Sequence, residues 1–289
     1  MKNQHTNHLL LLLLATLFTS TSGALGKFID LPTPVVIWWR CMIGGLFLLA
    51  FCLYKKYNLK IASRKDFFTI ALSALLMGAH WITYFYALKL SNVAIGMLSL
   101  FTYPIFTALL EPFFMKVKFD PFYIPLGFLV ILGIYMLAPE FNLESTHVQG
   151  GLFGLFSALC YALRNIMSKK LITRYNGTRI MLYQVTIIGI VLAPSLYFMG
   201  TSNISTQFPY VLLLALITTA LGHTMLVSSL KYFSVSTSSI INSVQPVFGI
   251  IIAFIFLNEI PTLNTYIGGS LILATVVIES IRFKKKLGA

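Results

Sequence analysis

Two histidines stand in the middle of long apolar segments, where ionisable side chains are rare. His80 is followed by Trp81 and, one helical turn further on, by Tyr84, while His223 lies in a much later segment. A buried imidazole can bind a carboxylate or take up a proton near neutral pH. It can also stay neutral and hydrogen-bond to a neighbouring helix. Because two separate segments each supply one, we predict that all four residues contact a substrate.

A polar stripe runs along another apolar segment. Ser238, Asn242 and Gln245 are separated by four and three residues, so they share one helical face, which Gly249 continues. Tyr103 occupies a matching position in an earlier segment. The stripe could serve only as polar contact between helices, worth about 0.6 kcal/mol on average. Since it is unbroken, we predict instead that Ser238, Asn242, Gln245 and Tyr103 line a cavity.

Two prolines and two arginines also lie inside apolar segments. Pro104 and Pro246 each remove a backbone hydrogen bond, which predicts a kink in each helix. Arg40 and Arg164 could each bind an anionic group. Arg164 can alternatively extend toward Lys169 at the end of its segment, and Arg40 follows two tryptophans typical of a membrane interface. We keep Arg40 as a candidate substrate contact.

The segment centres contain no acidic residue and the sequence contains no catalytic motif, and both absences restrict the possible chemistry. Glu111, Glu259 and Glu279 all lie toward segment ends, which disfavours proton coupling through a buried carboxylate. Proton coupling through His80 or His223, or simple facilitated diffusion, stays open. The sequence has no phosphate-binding loop, no HExxH or GxSxG motif and no CxxC pair. We therefore expect no catalytic residues, no cofactor and no metal.

The composition explains why these polar residues are exceptional. Of 289 residues, 57% are hydrophobic and only 10% are charged, whereas a soluble domain has about 25% charged residues. The net charge of +13 would suit nucleic acid, but the basic residues lie between apolar runs instead of on one wettable face. The chain is therefore predicted to be an integral membrane protein whose surroundings are the lipid bilayer, with no nucleic-acid partner.

Ten apolar stretches are long enough to cross the ~30 Å hydrocarbon core of a bilayer. The first loosely resembles a signal peptide, but its apolar part continues to Ile29, so we expect a retained transmembrane helix. The stretches lie near residues 8–29, 33–54, 66–88, 92–115, 121–138, 150–171, 179–200, 208–231, 236–257 and 262–281.

The basic residues predict the orientation of the chain. With the N-terminus in the cytoplasm, 17 of the 21 Lys and Arg residues fall on the cytoplasmic side, and only Lys27 and Lys89 fall outside. We therefore expect a multi-pass protein of the cell inner membrane with both termini cytoplasmic. The connection that contains Glu140 and Glu144 has no basic residue. It is predicted to be external and to separate two halves.

The two halves match each other when the sequence is laid on itself so that Pro104 faces Pro246. Residues 87–107 then face residues 229–249, and leucine, lysine, valine and phenylalanine also recur in step without a gap. We call this alignment the repeat register. The number of matches that share it predicts an internal duplication.

Five spans are an odd number, so the second half must enter the membrane from the opposite side. The predicted fold is an all-α integral membrane protein with ten transmembrane helices, arranged as two inverted five-helix repeats at 8–138 and 150–282. Exchanging the conformations of two such halves would convert an outward-open state into an inward-open state. This is the requirement of a transporter that works by alternating access.

Several local features carry a resemblance to a known family. They are the five-plus-five arrangement, the prolines in spans four and nine, the run Leu257-Asn258-Glu259 and the Gly150-Gly151 opening of span six with Tyr161-Ala162. Together they resemble the drug/metabolite transporter superfamily, and its ten-helix EamA-type branch in particular. Glu111 departs from the pattern because it lies before a proline inside span four. The resemblance implies an exporter or exchanger of small metabolites, often amino acids, with a central cavity.

We predict a secondary transporter, not an enzyme, that exports a small polar metabolite such as an amino acid. A homodimer is compatible with this prediction. One alternative is a lipophilic-cation or drug efflux carrier, which the lack of a central carboxylate disfavours. Another, from a different class, is an intramembrane enzyme or sensor.

Overall fold

The computed structural model describes residues 2–115, 118, 120–137, 143–200 and 203–288. Every regular element in these ranges is a helix. In chain order they are α1 (Lys2–Phe28), α2 (Thr33–Tyr54), α3 (Arg64–Leu90), α4 (Val93–Leu100), α5 (Tyr103–Phe114), α6 (Tyr123–Leu137), α7 (Thr146–Leu171), α8 (Gly177–Leu192), α9 (Pro194–Met199), α10 (Ile204–Leu213), a π-helix (Leu214–His223), α11 (Thr224–Ser229), α12 (Val235–Asn242), α13 (Gln245–Leu257) and α14 (Leu263–Gly288).

Each predicted apolar stretch coincides with a helix or with consecutive helices. Six of these are long and apolar enough to cross a membrane, and shorter apolar helices accompany them. The chain is therefore a multi-pass membrane protein. Glu140, which helps to mark the predicted boundary between halves, lies outside the described residues, as does Lys116. The six spans are Asn7–Phe28, Thr33–Tyr54, Arg64–Leu90, Val93–Phe114, Thr146–Leu171 and Ile204–Ser229.

The two predicted kinks take the form of complete helix breaks. Phe101 and Thr102 separate α4 from α5, and Pro104 is the second residue of α5. Residues 243–244 separate α12 from α13, and Pro246 is the second residue of α13. Proline suits the start of a helix because the first N–H groups have no intrahelical acceptor. Each proline thus begins a new helix instead of bending a continuous one.

The π-helix between α10 and α11 was not predicted. The hydroxyls of Thr218 and Thr219 both turn back to the carbonyl of Leu214. Hydroxyls that bond to the preceding turn compete with the regular backbone pattern, and π-helical turns often occur at functional sites. The result is that two successive threonines both reach Arg40 on α2.

The centre of the molecule is the packing of α7 against α3 and α4. A Cβ atom added at Gly150 would lie 2.7 Å from Ser91 Oγ, and one added at Gly154 would lie 2.5 Å from Ser99 Cβ. Small residues at this spacing allow membrane helices to approach closely. The two glycines therefore bring α7 against the helices that carry the predicted site.

Two lysines make the same contacts at equivalent positions of the repeat register. Lys27 Nζ, at the end of α1, donates to the carbonyl oxygens of Leu88 and Ser91, both at 2.8 Å. Lys169 Nζ, at the end of α7, donates to the two carbonyls that the register makes equivalent to these, at 2.6 and 2.9 Å. Both lysines thus satisfy carbonyls that the last turn of a helix leaves without intrahelical donors.

The helix starts that follow these lysine contacts are also equivalent. Asn92 Oδ1 accepts a hydrogen bond from the Ile95 N–H at the start of α4 (2.8 Å). Ser234 Oγ accepts one from the Thr237 N–H at the start of α12 (3.0 Å). Both are N-cap interactions, which stabilise the first turn of a helix, and the repeat register pairs both their donors and their acceptors.

Two glutamates join the ends of the broken helices reciprocally. Glu259, just after α13, accepts a hydrogen bond from the Val93 N–H that begins α4 (2.8 Å). Glu111, near the end of α5, accepts one from the Ser236 hydroxyl near the start of α12. The pair α4–α5 therefore lies antiparallel to the pair α12–α13. We call the contacts at Glu259 and Glu111 the two latches.

A polar cluster fastens the start of α3 to the link between α7 and α8. Asp66 accepts hydrogen bonds from Arg174 (3.1 Å) and from the Tyr175 hydroxyl (2.9 Å). The same hydroxyl accepts one from the Ala62 N–H (2.8 Å). Burial and the neighbouring carboxylate raise the pKa of Tyr175. Its hydroxyl therefore stays protonated and can donate to Asp66 throughout the neutral pH range.

Candidate functional site

A small cavity lies where the broken helices cross the α3–α7 pair. It has room for about one water molecule. Its walls come from α1, α3, the α4–α5 break, α7, the π-helix and the first residue of α13. The lining residues are Ser22, His80, Trp81, Tyr84, Leu100, Phe101, Tyr161, His223 and Gln245.

His80 is held by a reciprocal pair of hydrogen bonds with α7. The Ser157 hydroxyl donates to the His80 carbonyl (2.9 Å) and lies 2.7 Å from Nδ1 of the same residue. The Ser157 hydroxyl has one proton, which it donates to the His80 carbonyl. Nδ1 of His80 must therefore donate its own proton to the hydroxyl oxygen. The imidazole also stacks on Tyr161, with ring centroids 4.4 Å apart. Nε2 of His80 is then the acceptor of a neutral imidazole.

Trp81 and His223 are the equivalent positions of the two halves, and they contact each other. Trp81 Nε1–H donates to His223 Nε2 at 3.3 Å. Because an indole can only donate, Nε2 must be an acceptor and the His223 ring must be neutral, with its proton on Nδ1. Nδ1 of His223 is buried and has no hydrogen-bond partner among the described residues.

Arg40 lies behind Trp81 and does not line the cavity. Its guanidinium donates to Thr219 (2.9 Å) and Thr218 (3.0 Å) of the π-helix. The guanidinium carbon lies 4.0 Å from the centroid of the Trp81 ring. Nη1 is buried without a hydrogen-bond partner in the described part of the chain. Arg40 is fully buried, so it does not belong to an interfacial belt.

Arg164 is the second buried arginine and lies on α7. It is fully buried, and it donates to Gln184 (2.6 Å from Nη2) and to Asn165 (2.9 Å from Nη1). Gln184 also donates to the Ser168 hydroxyl (3.3 Å), so the side chain extends toward the Lys169 end of α7 but stays within the protein. Amide oxygens, and no carboxylate among the described residues, satisfy this guanidinium.

The polar stripe reaches the cavity through one residue only. Gln245 lines the cavity, and its Oε1 accepts a hydrogen bond from the Thr19 hydroxyl (2.9 Å). Asn242 Oδ1 instead lies 2.6 Å from the Thr16 hydroxyl, and Ser238 lies 3.3 Å from the Ser229 hydroxyl. These contacts turn most of the stripe toward α1 and α11.

The structure therefore brings together His80, Trp81, Tyr84, His223 and Gln245, and it leaves four predicted site residues outside the cavity lining. One of the four is Tyr103, whose hydroxyl donates to the Ser239 carbonyl (3.3 Å) and whose ring packs on Tyr161. The other three are Arg40, Ser238 and Asn242.

Four lining residues were missed from the sequence: Ser22, Leu100, Phe101 and Tyr161. The repeat register relates Tyr161 to Thr19 and Tyr103 to Gln245. Tyr161 contacts Tyr103 with centroids 4.8 Å apart, as Thr19 contacts Gln245. Tyr161 could not be predicted from the sequence, because the Thr19–Gln245 contact that relates it to the stripe is known only from the structure.

No group of three His, Cys, Asp or Glu side chains converges on a metal-sized site in the part of the chain that the structure describes.

The arrangement of a central cavity between two similar halves agrees with a comparison against protein families. A model of the EamA-like transporter family matches residues 6–138 and, a second time, residues 148–281. The chain belongs to the EamA-like transporter family. The resemblance seen in the sequence is thereby confirmed, and the protein is of the transporter class.

Relatives of this EamA-like protein cover almost its whole length. An uncharacterized transporter of Archaeoglobus fulgidus is 26% identical, covering 92% of this chain and 94% of that protein. An S-adenosylmethionine uptake transporter of Rickettsia conorii is 24% identical, with 95% and 92% covered. The pseudopaline exporter CntI of Pseudomonas aeruginosa is 25% identical, with 96% of each covered. A solved crystal structure shares the fold, with a TM-score of 0.73 at 16% identity over 98% and 99% of the two chains.

Proposed function

We propose that this protein is a secondary transporter of the inner membrane that exports a small polar metabolite, such as an amino acid, by alternating access. It has ten transmembrane helices in two inverted five-helix repeats, 8–138 and 150–282, and both termini face the cytoplasm. The observation that carries the proposal is the Trp81–His223 contact. It joins equivalent positions of the two halves directly at the wall of the central cavity.

The inverted repeat is supported by contacts that recur at equivalent positions. The lysine contacts, the N-caps and the two helix breaks all recur in the repeat register. The antiparallel arrangement of α4–α5 and α12–α13 is what a repeat with inverted topology requires. The two matches of the family model fall on the same halves.

Alternating access is supported by the size of the cavity and by the two latches. A cavity with room for about one water molecule must widen before any metabolite can enter. The Glu259 and Glu111 latches lie at opposite ends of the antiparallel helix pairs, and both are formed. Opening one latch while the other stays closed would connect the cavity to one side of the membrane at a time.

The lining supports a small substrate with apolar and hydrogen-bonding parts. Trp81, Tyr84 and Tyr161 provide aromatic walls, while His80 and Gln245 provide polar groups. Binding sites for small molecules typically combine such walls with a few polar groups that fix the orientation of the ligand. Two relatives carry names that describe the transport of small molecules across membranes, in one case by uptake and in the other by export.

Flux from liposomes tests the proposal. Purified protein would be reconstituted into vesicles that contain a defined mixture of amino acids and organic acids, and release would be followed by mass spectrometry. We expect at least one compound to leave faster than from protein-free vesicles. His80→Ala and Gln245→Ala should slow that release about tenfold, as expected when one polar contact to a bound molecule is lost. A pH gradient in the same assay tests proton coupling through His80 or His223.

His147→Ala is the matched control because His147 lies exposed near the start of α7. This variant should release the compound at the wild-type rate. Wild-type release by both cavity variants would contradict the site assignment. Chemical conversion of a compound without net transfer would contradict the transporter itself and favour an intramembrane enzyme.

A further inference from the structure

The interior of the protein contains positive charge that no carboxylate neutralises. Among the described residues, the buried charged side chains are Arg40, Arg164 and Asp66. Asp66 is paired with Arg174 at the start of α3. Neither buried arginine forms an ion pair within the described ranges. A buried charge without a counter-ion is costly, so its retention calls for a partner that is not part of the chain.

The Arg40 guanidinium lies directly behind one wall of the cavity, 4.0 Å from the centroid of the Trp81 ring. Arg164 is fully buried on α7, shortly after the lining residue Tyr161. Buried charges are screened only weakly, so both guanidiniums contribute a positive potential at the cavity.

An aromatic cavity could instead be a cage for a cation, as in sites that recognise quaternary ammonium groups. That use requires open ring faces. The Trp81 face already carries the Arg40 guanidinium, 4.0 Å from its centroid. The Tyr161 ring is stacked on His80, with centroids 4.4 Å apart. One face of each ring is thus covered, and the Arg40 charge behind Trp81 would repel a cation placed on the other face of that ring.

An ammonium group would also lack a charged acceptor. Among the described residues, no Asp or Glu lines the cavity. Gln245 Oε1, the amide oxygen at the cavity wall, already accepts from Thr19. A negative group, by contrast, gains from both guanidiniums and from the buried donor Nδ1–H of His223, which has no other partner among the described residues.

We infer that the molecule carried by this protein is a small organic anion, with a carboxylate or a similar acidic group and no compensating positive charge. Arg40 attracts it from behind the Trp81 wall, and Arg164 attracts it from its buried position on α7. They are therefore positioning residues that act through the electric field rather than by contact. The inference rests on the proposed transport function and narrows the predicted substrate from polar metabolites in general to net-negative ones.

Three probes of matched shape test the charge preference: 3-phenylpropionate, phenylalanine and phenethylamine. They share a phenyl ring and a short chain but are negative, zwitterionic and positive at neutral pH. Apparent affinity would be measured from the concentration dependence of the thermal midpoint of the purified full-length protein in nanodiscs. We expect 3-phenylpropionate to bind about tenfold or more tightly than phenethylamine, since each nearby charge contributes about that much at intermediate dielectric.

Variants of the arginines separate an electrostatic role from a structural one. Arg40→Gln and Arg164→Gln should each lower the anion-to-amine affinity ratio about tenfold. Arg40→Lys should retain the ratio because it keeps the charge. Lys65→Gln is the matched control, since it removes one charge from an exposed position near the start of α3. Without ligand, Arg40→Gln should be at least as heat-stable as the wild type, because a buried unpaired charge is destabilising.

The outcomes distinguish this inference from the function on which it rests. Equal or tighter binding of phenethylamine, unchanged ratios in both arginine variants, or no binding of any probe overturns the inference. Preferred release of phenethylamine from liposomes loaded with the three probes overturns it as well but leaves the transporter intact. The expected affinity order without release of any compound from the liposome mixture supports the anionic site and contradicts transport.

Discussion

Trp81 connects three helices because its ring face and its indole N–H contact different residues. Its ring face carries the Arg40 guanidinium, and its Nε1–H donates to His223. A phenylalanine could do the first and a histidine the second, whereas an indole combines a large ring face with an N–H donor at its edge. The result is a chain of contacts from α2 through α3 to the π-helix.

Trp81→Phe tests this arrangement at the scale of one hydrogen bond. Without the indole N–H, Nε2 of His223 is buried and unsatisfied, so we expect the free energy of unfolding to fall by about 1–3 kcal/mol. The double variant Trp81→Phe/His223→Leu should recover most of this loss, because it removes both polar partners. The measurement is thermal unfolding in nanodiscs.

Trp38→Phe is the control, since Trp38 is half-buried near the start of α2 and lies outside the cavity lining. Its effect should be small. If the double variant were less stable than the Trp81→Phe single variant, the hydrogen bond would not be the source of the loss.

At the scale of elements, the broken helices and their latches form the part of the fold suited to motion. Each break leaves a helix end near the middle of a predicted span, and each proline stands where it costs no hydrogen bond. The far ends are joined by single side chains, Glu259 to α4 and Glu111 to α12. Glu111 departs from the family pattern in position, yet it mirrors Glu259 in what it contacts.

Neutralising one latch should bias access to one side. Glu259→Gln weakens the charge-assisted contact to the start of α4, and Glu111→Gln weakens the contact to Ser236. A loss of about 1 kcal/mol changes the ratio of two conformations about fivefold. The measurement is labelling of Ser22→Cys, in the cavity wall, by a membrane-impermeant maleimide after the native cysteines are replaced.

The two variants serve as controls for each other. Glu259→Gln should speed labelling from outside, and Glu111→Gln should slow it, because the latches act on opposite ends. A change in the same direction in both variants would show that general loosening, and not alternating access, explains the effect.

At the scale of the whole molecule, the predicted orientation explains most of the basic residues but not all of them. Of the 21 basic residues, 17 lie at connections predicted to be cytoplasmic. Two of the others, Arg40 and Arg164, are fully buried. The net charge thus has two parts: most of it agrees with the proposed orientation, and a small part, Arg40 and Arg164, is buried inside the protein.

The orientation is testable with single cysteines in a background without the native ones. Glu144→Cys, in the link before α7, should react with an impermeant maleimide in intact cells. Lys60→Cys, in the exposed link between α2 and α3, should react only after the inner membrane is permeabilised. The reverse pattern would invert the proposed orientation.

The sequence alone determined the class of the protein and the position of its helices. Apolar length and period are local properties, and crossing a bilayer depends on them directly. The ten apolar stretches therefore coincide with helices, and the repeat register anticipates contacts such as those of Lys27 and Lys169. The π-helix was not predicted because nothing in the sequence distinguishes Thr218 and Thr219 from ordinary helical residues. Their contact with Arg40 appears only in the structure.

Only the tertiary structure decided which polar residues meet. Helical spacing gave Ser238, Asn242 and Gln245 one face, but it could not say that α1 would cover most of that face. The same limit applies to Arg40, whose depth along α2 was clear while its place behind Trp81 was not. Contacts between helices depend on rotation and close approach, and these depend on residues far apart in the chain, such as Gly154 and Ser99. That is why the sequence could indicate which apolar segments carry polar residues, while the residues that meet at the cavity became known only from the structure.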